Sequence, residues 1–404
     1  MTTLTNSQQR IVSGMRPTGR LHLGHYHGVL RNWVELQNSH ECFFFVADWH
    51  ALTTHYDDPS VIEQNIWDMV VDWLACGISP GAARLFIQSR VPEHAELHLL
   101  LSMITPLGWL ERMPTYKDQQ EKLREKDLST YGFLGYPLLQ SADVLIYKAA
   151  GVPVGEDQVA HIEMTREVAR RFNHLYGREP DFEARAEEAI AKMGKKNARL
   201  YRNHRKAYLE KGDQEALKVA RALLESQQNI SVGDRERLLG YLEGSGKMIL
   251  PEPMALLTDA PKMPGLDGQK MSKSYGNTVA LREDPAVIEK ALRTMPTDPA
   301  RVRLTDPGDP EKCPVWQFHL LYSDQSTRDW VREGCASAGI GCVQCKAPVI
   351  EAVLAELKPI RERAEEYESD PGLVKRIIAE GSEAARDIAR ETLDEVRRAM
   401  SLNY

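Results

Sequence analysis

The sequence contains no long hydrophobic run. Among its 404 residues there is no stretch of roughly eighteen consecutive apolar residues, the length that a membrane-spanning helix needs. Residues 1–10 are polar and lack the apolar centre of a secretory signal peptide. We therefore expect a cytoplasmic protein with no membrane segment. Hydrophobic residues make up 42% and charged residues 27%, as in ordinary globular proteins.

The sequence has no excess of positive charge and only six cysteines. The formal net charge is −7, which does not favour nucleic-acid binding over the whole surface but allows a local basic face. Cys42 and Cys76 lie in apolar segments, as small buried thiols often do. The other four cysteines are crowded between residues 313 and 345. In a cytosolic protein this crowding favours a metal site over disulfides.

Short apolar segments of strand length alternate with amphipathic helical patterns through much of the chain. Strands are predicted at residues 10–13, 42–47, 85–88, 152–154 and 254–257. Helices are predicted from 22 to about 37 and at 58–74, 136–150 and 157–172. Nearly all-apolar strands that alternate with helices are typical of a parallel sheet covered on both faces. The pattern predicts an α/β protein with a Rossmann-like, doubly wound parallel sheet.

Two changes in composition indicate further parts. Residues 178–248 are rich in Ala, Glu, Lys and Arg with almost no strand formers, so we expect two or three inserted helices. Residues 348–402 predict three helices, separated by Pro359 and by Asp370-Pro371-Gly372. The predicted division is a catalytic domain at 1–177 and 249–310, a charged helical insertion at 178–248, and a C-terminal part with the four cysteines and an α-helical domain at 311–404.

A histidine-containing turn follows the first predicted strand. His22-Leu23-Gly24-His25 stands where a loop enters a helix, and backbone N–H groups at a helix start favour phosphate. Gly24 would let a nucleotide approach the backbone closely, and His22 and His25 can donate hydrogen bonds to phosphate oxygens. Alone, this tetrapeptide is weak evidence, because histidines on the surface or in the core are common.

A lysine-containing loop lies far downstream. Lys270-Met271-Ser272-Lys273-Ser274 follows the glycine-rich segment 265–268, so its two lysines can bracket a triphosphate from one loop. The alternative is a solvated basic turn, which an isolated pair of lysines would favour. Together and in this order, the two segments resemble the HIGH and KMSKS motifs of the class I aminoacyl-tRNA synthetases.

The resemblance implies amino-acid activation, in which a carboxylate attacks the α-phosphorus of ATP and pyrophosphate leaves. This reaction depends on positioning and charge stabilisation rather than on a covalent nucleophile. Mg²⁺ would accompany the ATP. The catalytic residues implied are His22, His25, Lys270 and Lys273. The ATP-binding residues implied are Arg16, Gly24, Asp157, Met271 and Ser272.

Further segments resemble the tryptophanyl branch of that family. These are residues 136–143 and 152–158, together with parts of 356–397. Independently of the resemblance, indole offers a single N–H donor, so its pocket needs a buried acceptor, and Asp143 stands on an otherwise apolar helix. Without the flanking motif, a carboxylate paired with a nearby Lys or Arg would be an equal alternative. The resemblance implies that Asp143 binds the indole N–H and that Tyr136 and Gln158 bind the α-amino group. The other tryptophan-binding residues implied are His50, Gln140, Val154 and Gly155.

The resemblance also implies partners and leaves rivals. The partners are L-tryptophan, ATP, tRNA(Trp) and a second copy of the chain in a homodimer, with the C-terminal helices binding the anticodon. A non-catalytic RNA-binding or regulatory relative would not need the intact histidines and lysines of the two motifs. A tyrosine-activating enzyme is disfavoured by Asp143 and by residues 152–154.

Four cysteines form a candidate metal-binding set. They are Cys313, Cys335, Cys342 and Cys345. The last two make a C-x₂-C pair, and four thiolates can bind either Zn²⁺ or a [4Fe–4S] cluster. Their spacing resembles that of the iron–sulfur subset of tryptophanyl-tRNA synthetases, which makes the cluster the preferred interpretation over structural zinc or free thiols. Because activation requires no redox chemistry, either metal would be structural.

A basic stripe marks the predicted insertion. Seven basic residues and no acidic one lie from Lys192 to Lys206, and most of them fall on one helical face. One interpretation is a contact with the tRNA backbone, which would be sensitive to salt. The other is a solvated face paired with neighbouring glutamates.

Overall fold

The protein is built around one parallel sheet. The structure is a computed structural model that describes residues 10–114, 130–177, 181–257 and 263–404. Within these residues the strands are β1 (Arg10–Met15), β2 (Glu41–Val46), β3 (Ala83–Ile87), β4 (Gly151–Val154) and β5 (Met254–Leu257). Their order is β3-β2-β1-β4-β5, and every pairing is parallel. The chain therefore winds outward from β1 in both directions, which confirms the predicted Rossmann-like fold.

The central strands are apolar because both faces of the sheet are covered. Phe43 and Phe44 are fully buried in β2. Phe44 enters one hydrophobic core, whereas Phe43 and Phe45 enter the other. Successive side chains of a strand point to opposite faces, so a run of apolar residues supplies both cores.

Helices cover both faces of the sheet. Those of the first part are α1 (Leu23–His25), α2 (Arg31–Leu36), α3 (Asp48–His55), α4 (Ile62–Ala75), α5 (Glu93–Ser102), α6 (Leu107–Glu111), α7 (Tyr131–Leu145) and α8 (Val159–Tyr176). A π-helical turn, Tyr26–Leu30, joins α1 to α2. Between β5 and the C-terminal part lies α13 (Pro285–Thr294). The C-terminal helices are α14 (Pro314–Tyr322), α15 (Gln325–Ala336), α16 (Cys342–Ser369) and α17 (Pro371–Ala399).

The insertion contains more helices than the sequence predicts. They are α9 (Phe182–Lys192), α10 (Gly194–Lys211), α11 (Gln214–Glu225) and α12 (Val232–Leu242). Gly194 and Gly212 adopt positive φ angles of 80° and 66°, and Asp213 caps the helix that follows. The prediction of two or three helices is therefore wrong, because composition does not reveal such short breaks. The first predicted insertion residues, 178–180, lie outside the described residues.

The C-terminal part contains fewer breaks than the sequence predicts. Pro348 and Pro359 both lie inside α16, whereas the break at 370–372 is confirmed. A proline inside a helix costs about 3 kcal/mol. Val353 and Leu357 of this helix are fully buried in the core that α4 shares, and this packing keeps the helix continuous. The predicted boundary between two helices at Pro359 is therefore wrong.

No helix among the described residues has the length and apolar character to cross a membrane.

Candidate active site

A cavity of about 500 Å³ opens at the carboxyl ends of β1 and β4. After β1 the chain continues to β2 on one side of the sheet, and after β4 it continues to β5 on the other side. Doubly wound folds bind ligands at this point, where the connections diverge. The predicted site residues that line the cavity are Arg16, His25, His50, Tyr136, Gln140, Asp143, Val154, Gly155, Asp157 and Gln158. The others, His22, Gly24, Lys270, Met271, Ser272 and Lys273, belong to two segments that meet beside it.

The first segment starts helix α1. His22 is its N-cap, and the His22 Nδ1 accepts a hydrogen bond from the Gly24 N–H at 3.1 Å. The His25 Nδ1 accepts from the His22 N–H at 3.3 Å, and the centroids of the two rings lie 3.9 Å apart. A Cβ at Gly24 would lie 2.9 Å from the His22 ring, so glycine permits this close arrangement.

Both histidines are neutral near pH 7. Burial, together with the charge of Lys273, lowers the pKa of His22 to about 4. Burial, His22 and Lys273 lower the pKa of His25 to about 3. Because each Nδ1 accepts from a backbone N–H, each neutral ring carries its proton on Nε2. The two Nε2–H groups are therefore available as uncharged donors to phosphate oxygens.

The second segment is a tight loop organised by Asn277, a buried residue. Its Oδ1 accepts from the Ser272 N–H at 2.8 Å. Its Nδ2 donates to the Asp267 carboxylate at 2.7 Å and to the Lys270 carbonyl at 3.2 Å. A Cβ at Gly265 would lie 2.1 Å from the Asn277 amide, so this position requires glycine. Lys270 itself is exposed at the turn.

Backbone hydrogen bonds hold the two segments together. The Leu23 N–H donates to the Val279 carbonyl and the Leu281 N–H to the Leu21 carbonyl, both at 3.0 Å. The Lys273 Nζ donates to the Thr18 carbonyl at 3.1 Å. Burial lowers the pKa of Lys273 to about 8, against the opposing effect of a carboxylate on α4. The structure thus brings the two segments together and places Lys273 near both histidines, as the sequence predicts.

Asp143 also lines the cavity and is only 1% exposed. Its Oδ2 accepts from the His50 Nε2 at 2.7 Å. Its Oδ1 accepts from the Gln88 Nε2 and the His94 Nδ1, both also at 2.7 Å. Burial would raise the pKa of Asp143, but the hydrogen bonds and charges of His50 and His94 lower it below its usual range. Asp143 is therefore an ionised acceptor, and its partners are neither Lys nor Arg.

A chain of polar side chains lines the wall formed by α7 and α8. The Tyr136 hydroxyl lies 3.4 Å from the His161 Nε2, and the His161 Nδ1 lies 2.7 Å from the Gln158 Oε1. The Gln158 Nε2 donates to the Asp157 carboxylate at 3.0 Å. Burial, with the nearby His50, lowers the pKa of His161 to about 4, so His161 is neutral near pH 7. Tyr136 and Gln158, predicted to bind one amino group, are thus connected through His161.

Comparison with known proteins identifies the family. The chain matches the family model of tRNA synthetases class I (W and Y) over residues 4–193 and 218–358. The chain belongs to this family. It is 68% identical over 396 residues to a tryptophan–tRNA ligase of Ralstonia nicotianae, an alignment that covers 98% of this chain and 99% of the relative.

Two further relatives place the synthetase in the tryptophanyl branch. A tryptophan–tRNA ligase of Thermotoga maritima is 46% identical over 397 residues, covering 98% of this chain and all of the relative. A crystal structure of Campylobacter jejuni tryptophanyl-tRNA synthetase, complexed with ADP and tryptophan, is 27% identical with a TM-score of 0.71. It covers 97% of this chain and 100% of its own. The resemblance that the sequence motifs indicate is therefore confirmed.

Several residues of the synthetase site were missed by sequence reasoning. Gln88 and His94 contact Asp143, and Asn277 holds the lysine loop. Gln88 had a weak signal, because it is the first polar residue after the apolar run of β3. Nothing in the sequence near His94 or Asn277 indicates their partners, which lie on other elements.

The four cysteines of the synthetase share one region. Cys313 precedes α14, Cys335 lies in α15, and Cys342 and Cys345 lie in the first turn of α16. Burial raises the pKa of Cys345 to about 12, and the other three cysteines act in the same direction. Across the described ranges, however, no group of three or more His, Cys, Asp or Glu side chains is arranged to hold a metal ion. The geometry therefore gives the predicted metal site no support beyond this proximity.

The basic stripe of the insertion has two parts. Lys192 pairs with Asp234 at 2.7 Å, and Arg202 pairs with Glu187 at 2.5 Å. Lys195, Lys196 and Arg199 are exposed at the start of α10, and no ion pair to them is found within the described part of the chain. The interpretation as a paired, solvated face thus holds for only some of these residues.

Proposed function

We infer that this synthetase is a tryptophan–tRNA ligase. It activates L-tryptophan with ATP to give tryptophanyl-adenylate and pyrophosphate, and then transfers tryptophan to tRNA(Trp). The observation that carries this conclusion is one cavity lined both by His25 of the first signature segment and by the buried carboxylate of Asp143. The reaction uses ATP and tRNA, so we propose that the enzyme works in the cytoplasm.

In the first step the two signature segments bind the triphosphate. We propose that the Nε2–H groups of His22 and His25 donate to phosphate oxygens. Lys270 and Lys273 stabilise the negative charge that develops on the leaving pyrophosphate. Bound with ATP, Mg²⁺ would offset further phosphate charge. The remaining ATP-binding residues proposed are Arg16, Gly24, Asp157, Met271 and Ser272.

The cavity residues around Asp143 bind the amino acid. Tyr136 and Gln158 bind the α-amino group of tryptophan, and the indole N–H donates to Asp143. His50, Gln140, Val154 and Gly155 complete the proposed pocket. A ligand without a donor at this position leaves one acceptor position of the buried Asp143 carboxylate unfilled, and such losses discriminate between substrates. We therefore propose that the hydrogen bond from the indole N–H to Asp143 selects tryptophan.

Charging of tRNA tests this function. The purified enzyme should attach radiolabelled tryptophan, but not tyrosine, to a tRNA(Trp) transcript when ATP is present. A Lys273→Ala variant is the matched control, and its rate should fall on the order of 10²–10³-fold. Failure of the folded parent enzyme to charge the transcript would move the assignment to a regulatory relative.

The tRNA contacts are proposed at two places. The C-terminal part, 311–404, would bind the anticodon, and the unpaired basic residues Lys195, Lys196 and Arg199 would contact the phosphate backbone. What supports the second contact is charge complementarity, because these cations are exposed and form no ion pair with any described residue, while the protein as a whole is acidic.

We propose a homodimer as the assembled form. Large apolar side chains are exposed on the neighbouring helices α5, α6 and α7. They are Leu99, Met103, Leu107 and Tyr131, of which Met103 is 67% exposed. Exposed apolar patches of this kind often mark protein interfaces.

We also propose that the four-cysteine region holds a [4Fe–4S] cluster, with structural zinc as the alternative. The support is the donor set, Cys313, Cys335, Cys342 and Cys345, on three successive elements that meet around the buried Trp316. Thiolate ligands suit both metals. When bound, the metal would fix the starts of α14 and α16 relative to each other.

A further inference from the structure

A buried polar network surrounds the Asp143 carboxylate on the side away from the cavity. Gln88 and His94, which donate to its Oδ1, are both fully buried. The His94 Nε2 lies 2.7 Å from the hydroxyl of Tyr147, which is also fully buried. These polar groups sit among the rings of Phe45 and Phe86, so each unmade hydrogen bond would cost free energy.

The donors and acceptors of this network can be assigned. An ionised carboxylate only accepts, so the Gln88 Nε2–H, the His94 Nδ1–H and the His50 Nε2–H all donate to Asp143. The Gln88 Oε1 accepts from the Trp49 N–H at 3.2 Å, which fixes the orientation of the amide. The His94 Nδ1–H donates to Asp143, and the His94 Nε2 accepts from the Tyr147 hydroxyl, so each ring nitrogen has one partner.

Among the residues that the structure describes, this assignment leaves one acceptor position of Asp143 free. A carboxylate has about four such positions, and three of them are taken. Both donors to Oδ1 come from the core, whereas His50, the donor to Oδ2, lines the cavity. The remaining position therefore belongs to Oδ2 and is on the cavity side.

We propose that Gln88 and His94 are positioning residues that hold Asp143 so that its Oδ2 presents a single acceptor position to the indole N–H. This inference rests on the proposed function. By occupying Oδ1 they prevent the carboxylate from rotating toward other donors. The acceptor is then in place before tryptophan arrives, and binding requires no rearrangement of charge. Tyr147 supports the arrangement through His94.

A pair of substitutions at His94 tests the proposal. His94→Phe removes the donor to Asp143 but keeps a ring among the neighbouring aromatic residues. His94→Asn places an amide nitrogen near the former Nδ1 and keeps the donor, although it fits the core less well. In pyrophosphate exchange, His94→Phe should raise the KM for tryptophan about tenfold to a hundredfold, while the KM for ATP stays unchanged. His94→Asn should restore the KM for tryptophan toward the parent value.

Other results would overturn the proposal. These are an unchanged KM for tryptophan in His94→Phe, an equal increase in both variants, or a parallel increase in the KM for ATP. The last two would indicate a general role in packing. If His94→Phe does not fold, Gln88→Met removes the other donor to Oδ1, and the same split between the two KM values is expected. An unchanged KM for tryptophan in Gln88→Met would also overturn it.

The parent enzyme separates this inference from the proposed function. If the parent catalyses no tryptophan-dependent exchange, the proposed function fails. If the parent is active and the variants give any of the contradicting results above, only the positioning role fails.

Discussion

His22, His25 and Lys273 lie in the two signature segments beside the cavity, and their protonation states differ. Burial keeps His22 and His25 neutral well below pH 7, so they can donate hydrogen bonds without adding charge. Lys273 keeps its proton until about pH 8, because burial lowers its pKa only part of the way. Of these three side chains, only Lys273 therefore carries a charge at neutral pH.

The pH dependence of activation should reflect this difference. Because a lysine loses its charge as pH rises through its pKa, kcat/KM for ATP in pyrophosphate exchange should fall above about pH 8. No step should arise from the two histidines near pH 6.5, since both are already neutral there.

The control is Lys273→Arg, whose guanidinium stays charged throughout the range. The alkaline fall should move upward in this variant even if its rate is lower overall. Any titration of ATP itself is the same for both enzymes, so a difference between their pH profiles comes from the protein. An unchanged alkaline fall would contradict the role given to Lys273.

Among single residues, the sequence predicts those that stand in contiguous motifs. His22, His25, Lys270 and Lys273 stand in contiguous motifs, and the structure brings their segments together as expected. Gln88, His94 and Asn277 could not be predicted in the same way. Their function depends on contacts between elements far apart in the sequence, and a single buried His or Asn has no local signature.

Single elements depend on packing as well as on local propensity. Pro359 predicts a helix end, yet α16 continues through it because Val353 and Leu357 pack into the core. Conversely, Gly194 and Gly212 stand at breaks between helices of the insertion, for which composition predicts only two or three helices. Strand positions were predicted better, because apolar runs bounded by turns are a stronger signal. The bounds of β5 match the predicted residues 254–257.

The start of α10 gives a prediction about tRNA. Reversing two charges with Lys195→Glu and Lys196→Glu should raise the KM for tRNA severalfold and reduce its dependence on salt, because phosphate contacts are lost. Tryptophan-dependent pyrophosphate exchange, which needs no tRNA, should not change. Lys211→Glu with Lys218→Glu is a matched control in the same insertion. Equal effects of the two pairs, or no effect of the first pair, would reject the contact.

The cysteine region gives a second prediction for a local element. Protein purified without oxygen should be brown and contain iron and sulfide, because a [4Fe–4S] cluster absorbs visible light. Cys345→Ser should lose the colour and the iron, whereas Cys76→Ser, a buried thiol elsewhere, should keep both. A colourless anaerobic preparation with stoichiometric zinc would establish the alternative metal.

In the whole molecule, the C-terminal helices are closely joined to the sheet. A Cβ at Gly381 of α17 would lie 2.1 Å from the Leu85 carbonyl oxygen of β3, so the helix crosses the strand at a glycine. Arg282, downstream of the lysine loop, pairs with Asp72 of α4 and with Glu368 of α16. The insertion, by contrast, has its own core around the fully buried Tyr201.

The assembly of two chains gives a further prediction. The proposed homodimer should appear as twice the chain mass of 45.7 kDa in sedimentation equilibrium. Met103→Glu with Leu107→Glu places charge in the exposed apolar patch and should shift the protein toward the monomer. A monomeric parent enzyme at micromolar concentration would contradict the proposal.

The most direct test of tryptophan activation is ATP–pyrophosphate exchange with each of the twenty amino acids in turn. We predict exchange with tryptophan alone, because the indole N–H donates to the acceptor position that the Asp143 carboxylate presents to the cavity. Exchange with tyrosine, or no exchange with any amino acid in the folded enzyme, would contradict it.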